Sequence, residues 1–362
     1  MKRTTALILA AVLLCVMLTG CETVMPYAGH QLNHIVLSKS GKEGTVDETA
    51  PFPGDKFVNP LSGQLTDRDL SYVRPIGFMN NNIYQGTPQH GISNAELVFE
   101  MNAEGNVTRF LTIYQDIRHD SPRIGSIRSA RPYYLDWVVS FDCILVRAGG
   151  SETANRQIIN RGIPQINALV AGAPTFYRDE ERLAAGYSIE HTLFTTGDLI
   201  CNYLESVPSL SAVHREGYVH SLKFTTTPAT TDGQDAPYIT VYMNSNKRTL
   251  FAYDEASKKY LMTEYDRPMT DGNTGEQLAV KNVLVFFVSY WREYSGASTL
   301  LADLTSGGGY YACEGKLIDI GWYRDDNGLA IFRPDGTEIQ LAVGHTFVCC
   351  PDASSGGLAL GW

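Results

Sequence analysis

The chain changes texture near Ser211–Gly217, and no single repeating pattern accommodates both sides of the change. From Arg74 to about Val213, strand-like and helix-like segments alternate, which argues for an α/β unit. "AELVFEMNAEGNVTRFLTIYQD" reads as two strands joined at Glu104-Gly105-Asn106, and "RPIGFMNNN" as a strand running into a polar loop. "SARPYYLDWVVSF" has helical spacing, with Ser129 placed as N-cap and Pro132 in the first turn. "FDCILVRAGGS" is a buried-type strand ending in Gly-Gly-Ser, followed by a helix that Ser151 is able to cap and that stops at Gly162. "TTGDLICNYLESV" is a further helix, capped by Thr196.

Beyond Val213 the segments are short, β-branched and aromatic, and "DGNTGE", "SGGG", "DDNG" and "PDG" separate them. Each separator supplies a residue able to take positive φ, so this part reads as an antiparallel β domain. The expected organisation is a signal segment over 1–20 and a tether over 21–59. An α/β (α+β) domain over 60–213 and a smaller, mainly antiparallel β domain over 214–362 follow.

The first two segments are set apart by their own chemistry. "MKRTTALILAAVLLCVMLTGC" places Lys2 and Arg3 before an apolar run and ends in Leu18-Thr19-Gly20-Cys21, the pattern of a lipoprotein signal peptide. Diacylation of Cys21 would anchor the chain to the lipid bilayer with everything after it outside the cytoplasm. Without Lys2 and Arg3, the 29 basic residues become 27 against 39 acidic ones, a net charge of −12. Such a balance excludes general binding to nucleic acid. Cys143, Cys201, Cys313, Cys349 and Cys350 remain; a bridge from Cys313 to Cys349 or Cys350 and buried free thiols are both open readings. Neither their spacing nor any His-x-x-x-His pair suggests a metal, and no cofactor is expected.

Against that acidic background, "RIGSIRSARPYYLD" concentrates arginine. Arg128 and Arg131 at a helix start suit a carboxylate or phosphate, whether from a ligand or from Glu96, Glu100, Asp116 or Asp136 of the chain itself. Gly149-Gly150-Ser151, between a strand end and a helix, lets backbone N–H groups approach an anion. Asn81 and its asparagine neighbours offer amide donors, and Arg109 and Arg178 are further cationic candidates. His191, oriented by Asp179 or Glu190 and paired with Ser151 or Ser129, is the arrangement an enzyme would need.

"IGFMNNN", "HGISNAELVFEM", "RIGSIRSARPYYLD", "VRAGGS", "FYRD" and "EHTLFTT", with "RPMTDGNTGEQLAVKNVLVFFV" and "LAVGHTFVCCP" later, resemble the YerB lipoprotein family over about Pro60–Pro351. The resemblance implies a lipid-anchored, extracytoplasmic, two-domain protein and assigns no reaction. Two positions differ: Arg147 stands where a histidine commonly precedes Ala-Gly-Gly-Ser, and "IEHTLFTT" replaces a Pro-His-Asn-Leu-Tyr-Thr run, with His191 kept. The expected function is binding of an anionic ligand or protein partner of the cell envelope through the arginines and the Gly-Gly-Ser turn. The alternative is a hydrolase or transferase acting on an envelope polymer with His191 and Asp179.

Overall fold

The structure, a computed structural model, describes residues 56–295 and 297–361. The signal segment, Cys21 and nearly all of the tether lie outside them. Among the described residues no helix is long and apolar enough to cross a membrane.

Strands from both sides of the texture change join in one eleven-stranded sheet. Its seam is a parallel pairing of Thr346–Cys350 with Leu97–Ala103, in register from Thr346↔Leu97 to Cys350↔Met101. On one side of the seam follow Val107–Tyr114, Ile76–Asn82, Ile144–Arg147 and Gln165–Asn167. On the other follow Asn282–Phe286, Ser306–Cys313 and Lys316–Asp325, the last bordered by Gln234–Asp235 and Gly328–Phe332. The expected division near Ser211–Gly217 therefore separates two textures but does not interrupt the main-chain hydrogen bonding. A second, six-stranded antiparallel sheet contains Tyr238–Asn244, Lys247–Asp254 and Lys259–Glu264.

Alternation along Leu97–Ala103 explains how both faces of the large sheet are covered. Leu97, Phe99 and Met101 point to one face, where the helix Tyr134–Ser140 packs. Its Trp137 stacks on Phe99 at 4.5 Å and lies 6.2 Å from Phe286 and 6.3 Å from Trp322, bridging the seam with one side chain. Val98 points to the opposite face, which the second sheet covers through Val241, Met243, Phe251 and Met262. Phe347 of the seam strand meets Phe110 and Phe251 there.

Two local expectations change. The asparagines of "RPIGFMNNN" belong to the strand itself, since Asn80, Asn81 and Asn82 pair with Phe110, Arg109 and Thr108. The helix after the arginines begins at Tyr134, without a side-chain cap, and Ser129 Oγ instead donates to the Ala148 carbonyl at 2.9 Å. Residues 128–131 are drawn out by main-chain bonds: Arg128 N to Met79 O, Ala148 N to Arg128 O, Ala130 N to Gly149 O and Ser151 N to Ala130 O. These bonds satisfy the backbone better than a frayed first turn would. The five cysteines among the described residues are free, four of them buried, so of the two open readings the structure has the free thiols and not the bridge from Cys313. The caps by Ser151 on Glu152–Asn160 and by Thr196 on Gly197–Ser206 occur as expected.

Candidate functional site

Ile76–Asn82, Ile144–Arg147 and Gln165–Asn167 run parallel, and Leu97–Ala103 shares their direction through its antiparallel neighbour Val107–Tyr114. Their carboxyl ends therefore meet at one edge of the sheet, the place where ligands sit in open α/β sheets. Asn81, Glu104, Arg147 and Asn167 come from those ends, and Arg109 from the start of the intervening strand. The drawn-out segment 128–131 and the Gly149–Ser151 turn lie across that edge, held together by the Ala130↔Gly150 bridge.

A cleft of about 710 Å³ opens here, bordered by Ser129, Arg131, Gly150, Ser151 and Thr153 and, from the second half of the chain, by the turn of the hairpin Ser289–Arg292/Leu300–Asp303. Arg131 Nε donates to Glu104 Oε2 at 2.7 Å and Oε1 at 2.9 Å. None of Glu96, Glu100, Asp116 and Asp136 takes Arg128 or Arg131. Asp116 holds Arg68 and Arg118, and Asp136 holds Arg161. Glu96 accepts from Asn59 Nδ2 at 2.7 Å and Gln115 N at 2.9 Å, and Glu100 lies between the two sheets.

Arg109 is only 8 % exposed, yet among the described residues its guanidinium's one hydrogen bond is to the Ser129 carbonyl, 2.7 Å from Nη1. Burial first, and then the neighbouring guanidiniums of Arg131 and Arg128, push its pKa down to about 10. Arg128 has a buried Nε without a partner, and its nearest carboxylate, Glu190, is 3.6 Å from Nη1. Arg147, also buried, bonds two neutral amide oxygens, Gln165 Oε1 at 2.6 Å and Asn155 Oδ1 at 2.7 Å. A Cβ at Gly150 would come 3.2 Å from Arg147 Nη1 and 3.0 Å from Asn155 Oδ1, so glycine keeps the space between Arg147 and the cleft open.

The expected catalytic grouping is not assembled. Asp179 accepts from Arg123 Nη1 at 2.7 Å and caps Arg182 N at 2.9 Å, so it does not orient His191. Ser151 Oγ accepts from Ala154 N as a helix cap. His191 is buried, with Nδ1 2.6 Å from Asn81 Nδ2. An amide N–H only donates, so the ring proton sits on Nε2, which faces Glu190 Oε1 at 3.5 Å. Burial lowers the pKa of His191 below its usual value. Arg178 donates to the Ile189 carbonyl and latches the turn carrying His191. His191, Glu190 and Arg128 thus adjoin one another, and among the described residues no hydroxyl group is hydrogen-bonded to the His191 ring.

Residues 61–208 match the family described as "Protein of unknown function (DUF3048) N-terminal domain", and residues 239–348 match its C-terminal domain. "Putative lipoprotein YerB" of Bacillus subtilis (strain 168) is 27% identical over 320 residues, spanning 87% of this chain and 92% of that protein. The chain belongs to the YerB lipoprotein family. A crystal structure of YerB from Bacillus subtilis superposes with a TM-score of 0.73 at 24% identity, covering 84% of this chain and all of that one. The YerB fold is thus the mixed α/β first part and mainly antiparallel second part described above.

Reading this YerB-family sequence along the chain missed Glu104, Thr153, Asn155, Asn167 and Glu293 as parts of the site. Glu104 carried a weak signal, an acid in the turn between two strands of the sheet that Arg131 crosses. Glu293 carried none, because it arrives from a hairpin more than a hundred residues further on.

Proposed function

We propose that this is a membrane-anchored, extracytoplasmic lipoprotein that binds an anionic ligand or partner of the cell envelope at the carboxyl edge of the large sheet. Lipidated Cys21 supplies the anchor, and Arg109 and Arg128, beside the Gly149–Ser151 turn, supply the charge that meets the anion.

The observation that carries this reading is Arg109. A guanidinium has five N–H donors, and a buried one without an acid keeps its desolvation cost uncompensated. Arg109 spends one bond on a carbonyl and has Arg128 and Arg131 beside it, an arrangement an incoming carboxylate or phosphate relieves. Arg131 orients the wall through Glu104 rather than acting as a free donor.

The test is calorimetric titration of the purified chain with inorganic phosphate and with acetate-type carboxylates, comparing the parent with Arg109→Met/Arg128→Met. The double variant should lose roughly 2–6 kcal/mol of binding, taking about 1.5–3 kcal/mol for each charged hydrogen-bonding group. Equal binding by the two proteins would overturn the proposal. Cys21→Ser should independently abolish lipid attachment, read by mass spectrometry of the membrane fraction.

A further inference from the structure

The residues that border the cleft of about 710 Å³ do not include Arg109 or Arg128, and their chemistry differs from that of the anion site. Six of them carry hydroxyl groups: Ser129, Ser151, Thr153, Tyr294, Ser298 and Thr299. Among the described residues no Leu, Ile, Val or Met side chain lines the opening, so an apolar ligand has nothing to bury against. Charge does not select the ligand either. Three carboxylates, Glu104, Glu152 and Glu293, stand against two guanidiniums, Arg131 and Arg156. Glu104 holds Arg131 at 2.7 Å, and Glu293, which accepts from Thr153 Oγ1 at 2.6 Å, lies 3.6 Å from Arg156. Glu152 is 3.8 Å from Arg156 with its side chain 94% exposed, so solvent screens it. A phosphate or carboxylate here would face an excess of acid, and an ammonium would have to displace a guanidinium.

What the wall offers is a dense set of neutral and mutually balanced donors and acceptors. Ser129 Oγ donates to the Ala148 carbonyl at 2.9 Å and keeps its lone pairs, while Ser151 Oγ accepts from Ala154 N at 3.2 Å and keeps its proton. The paired carboxylates and guanidiniums are already oriented. Leu300 N donates to Glu104 Oε1 at 3.3 Å and so ties the hairpin wall to the sheet edge, which lowers the cost of ordering the site around a ligand. Each hydroxyl of a sugar donates and accepts at once, and neighbouring hydroxyls on one ring span the two oxygens of a carboxylate or the two arms of a guanidinium. Tyr294, 67% exposed on the hairpin turn, adds an aromatic face whose negative charge suits the C–H bonds of a pyranose ring.

We infer that this cleft is a carbohydrate site, separate from the anion site proposed above, and that it takes an uncharged oligosaccharide. Tyr294 stacks on one ring, and Glu104, Glu293, Arg131 and Arg156 bond its hydroxyl groups. Gly150 has no side chain to obstruct the floor between Ser129 and Ser151. The volume lies within the range of small-molecule sites, roughly 300–1,000 Å³.

The experiment uses the full chain, purified in a detergent without a sugar headgroup, and calorimetric titration with linear N-acetylglucosamine and glucose oligomers of two to five rings. A blocked peptide, acetyl-trialanine amide, and inorganic phosphate serve as comparisons. At least one sugar series should bind, and more tightly as rings are added until the cleft is filled. Glu293→Gln should weaken that binding about ten-fold, the loss expected of a hydrogen bond to a charged group, and Tyr294→Ala about three- to ten-fold. No heat from either sugar series at millimolar concentration overturns the inference whatever the variants do. Sugar binding that neither substitution weakens overturns it as well, because the sugar then sits elsewhere, and so does a blocked peptide that binds as tightly as the sugars. Phosphate binding without sugar binding removes the carbohydrate site and leaves the anion site standing. Sugar binding without phosphate binding does the reverse.

Discussion

Two of the regions where this molecule buries charge are handled in opposite ways. Between the sheets, Glu100, Glu264 and Lys247 sit within 4 Å contacts: Lys247 Nζ is 3.0 Å from Glu264 and 3.9 Å from Glu100, and 3.8 Å above the ring of Tyr265. Thr249 Oγ1 donates to Glu100 at 2.7 Å, Thr108 Oγ1 does the same, and Asn82 Nδ2 lies 3.1 Å from each carboxyl. At the sheet edge, Arg109 has a carbonyl and two like charges. The first cluster is closed upon itself and ties the second sheet to the first. The second is open. Buried charge paired with opposite charge holds an architecture together, whereas buried charge without an acid beside it is what a binding site requires.

Lys247→Met is the sharpest way to break this comparison. It leaves two carboxyls in the interior without a cation, and a loss of about 3–5 kcal/mol is expected from urea unfolding. A loss below about 1 kcal/mol would mean that the inter-sheet cluster is not the bolt described here.

A second, smaller effect follows from pH. Burial, then the neighbouring Glu264, raises Glu100 to about 8, and burial raises Glu96 to about 7, both from 4.5. A carboxyl whose folded pKa is raised binds more protons folded than unfolded, so its stabilisation is lost as pH climbs from the unfolded to the folded value. Burial lowers His90 and His345 from 6.5 to about 4, which makes stability rise with pH over that lower window. The histidines are silent above 6.5, so stability should fall between about pH 6.5 and 8, by up to about 1.4 kcal/mol per unit from Glu100. Glu100→Gln should flatten that slope in denaturation midpoints measured across the range.

The open region responds less. Glu104→Gln removes the charge that fixes Arg131 and should cost about 1–2 kcal/mol, since both side chains are largely buried. Arg109→Met, by contrast, should change the stability of the unliganded protein by less than about 1 kcal/mol, because it removes a buried charge that lacks an acid. A large destabilisation by Arg109→Met would show that its partner is internal and would close the comparison against a binding role.

Much of the secondary structure was legible along the chain where local signals are self-contained. The strand pair around Glu104-Gly105-Asn106, the Ser151 and Thr196 caps and the turn-punctuated strands after Val213 all follow from short-range hydrogen bonding and pleat alternation. The helix start was misplaced because Ser129-Ala130-Arg131-Pro132 is a good capping sequence in isolation, and nothing local reveals that Met79, Ala148 and Gly149 offer its backbone better partners. The same limit governs the arginines: their number and crowding are properties of the sequence, but which acid each finds is a matter of packing.

The sequence by itself determined the chain's composition of textures, the cap and turn positions and the excess of arginine over residues 123–131, because each depends on neighbours within a few positions. Tertiary structure alone decided that Thr346–Cys350 pairs with Leu97–Ala103 and so makes one sheet of two textures. It also decided that Arg131 would be neutralised by Glu104 while Arg109 was not, and that Glu293 would face the Gly-Gly-Ser turn. Those outcomes rest on contacts between residues tens to hundreds of positions apart, whose Coulomb and hydrogen-bond energies exist only once burial has brought them together.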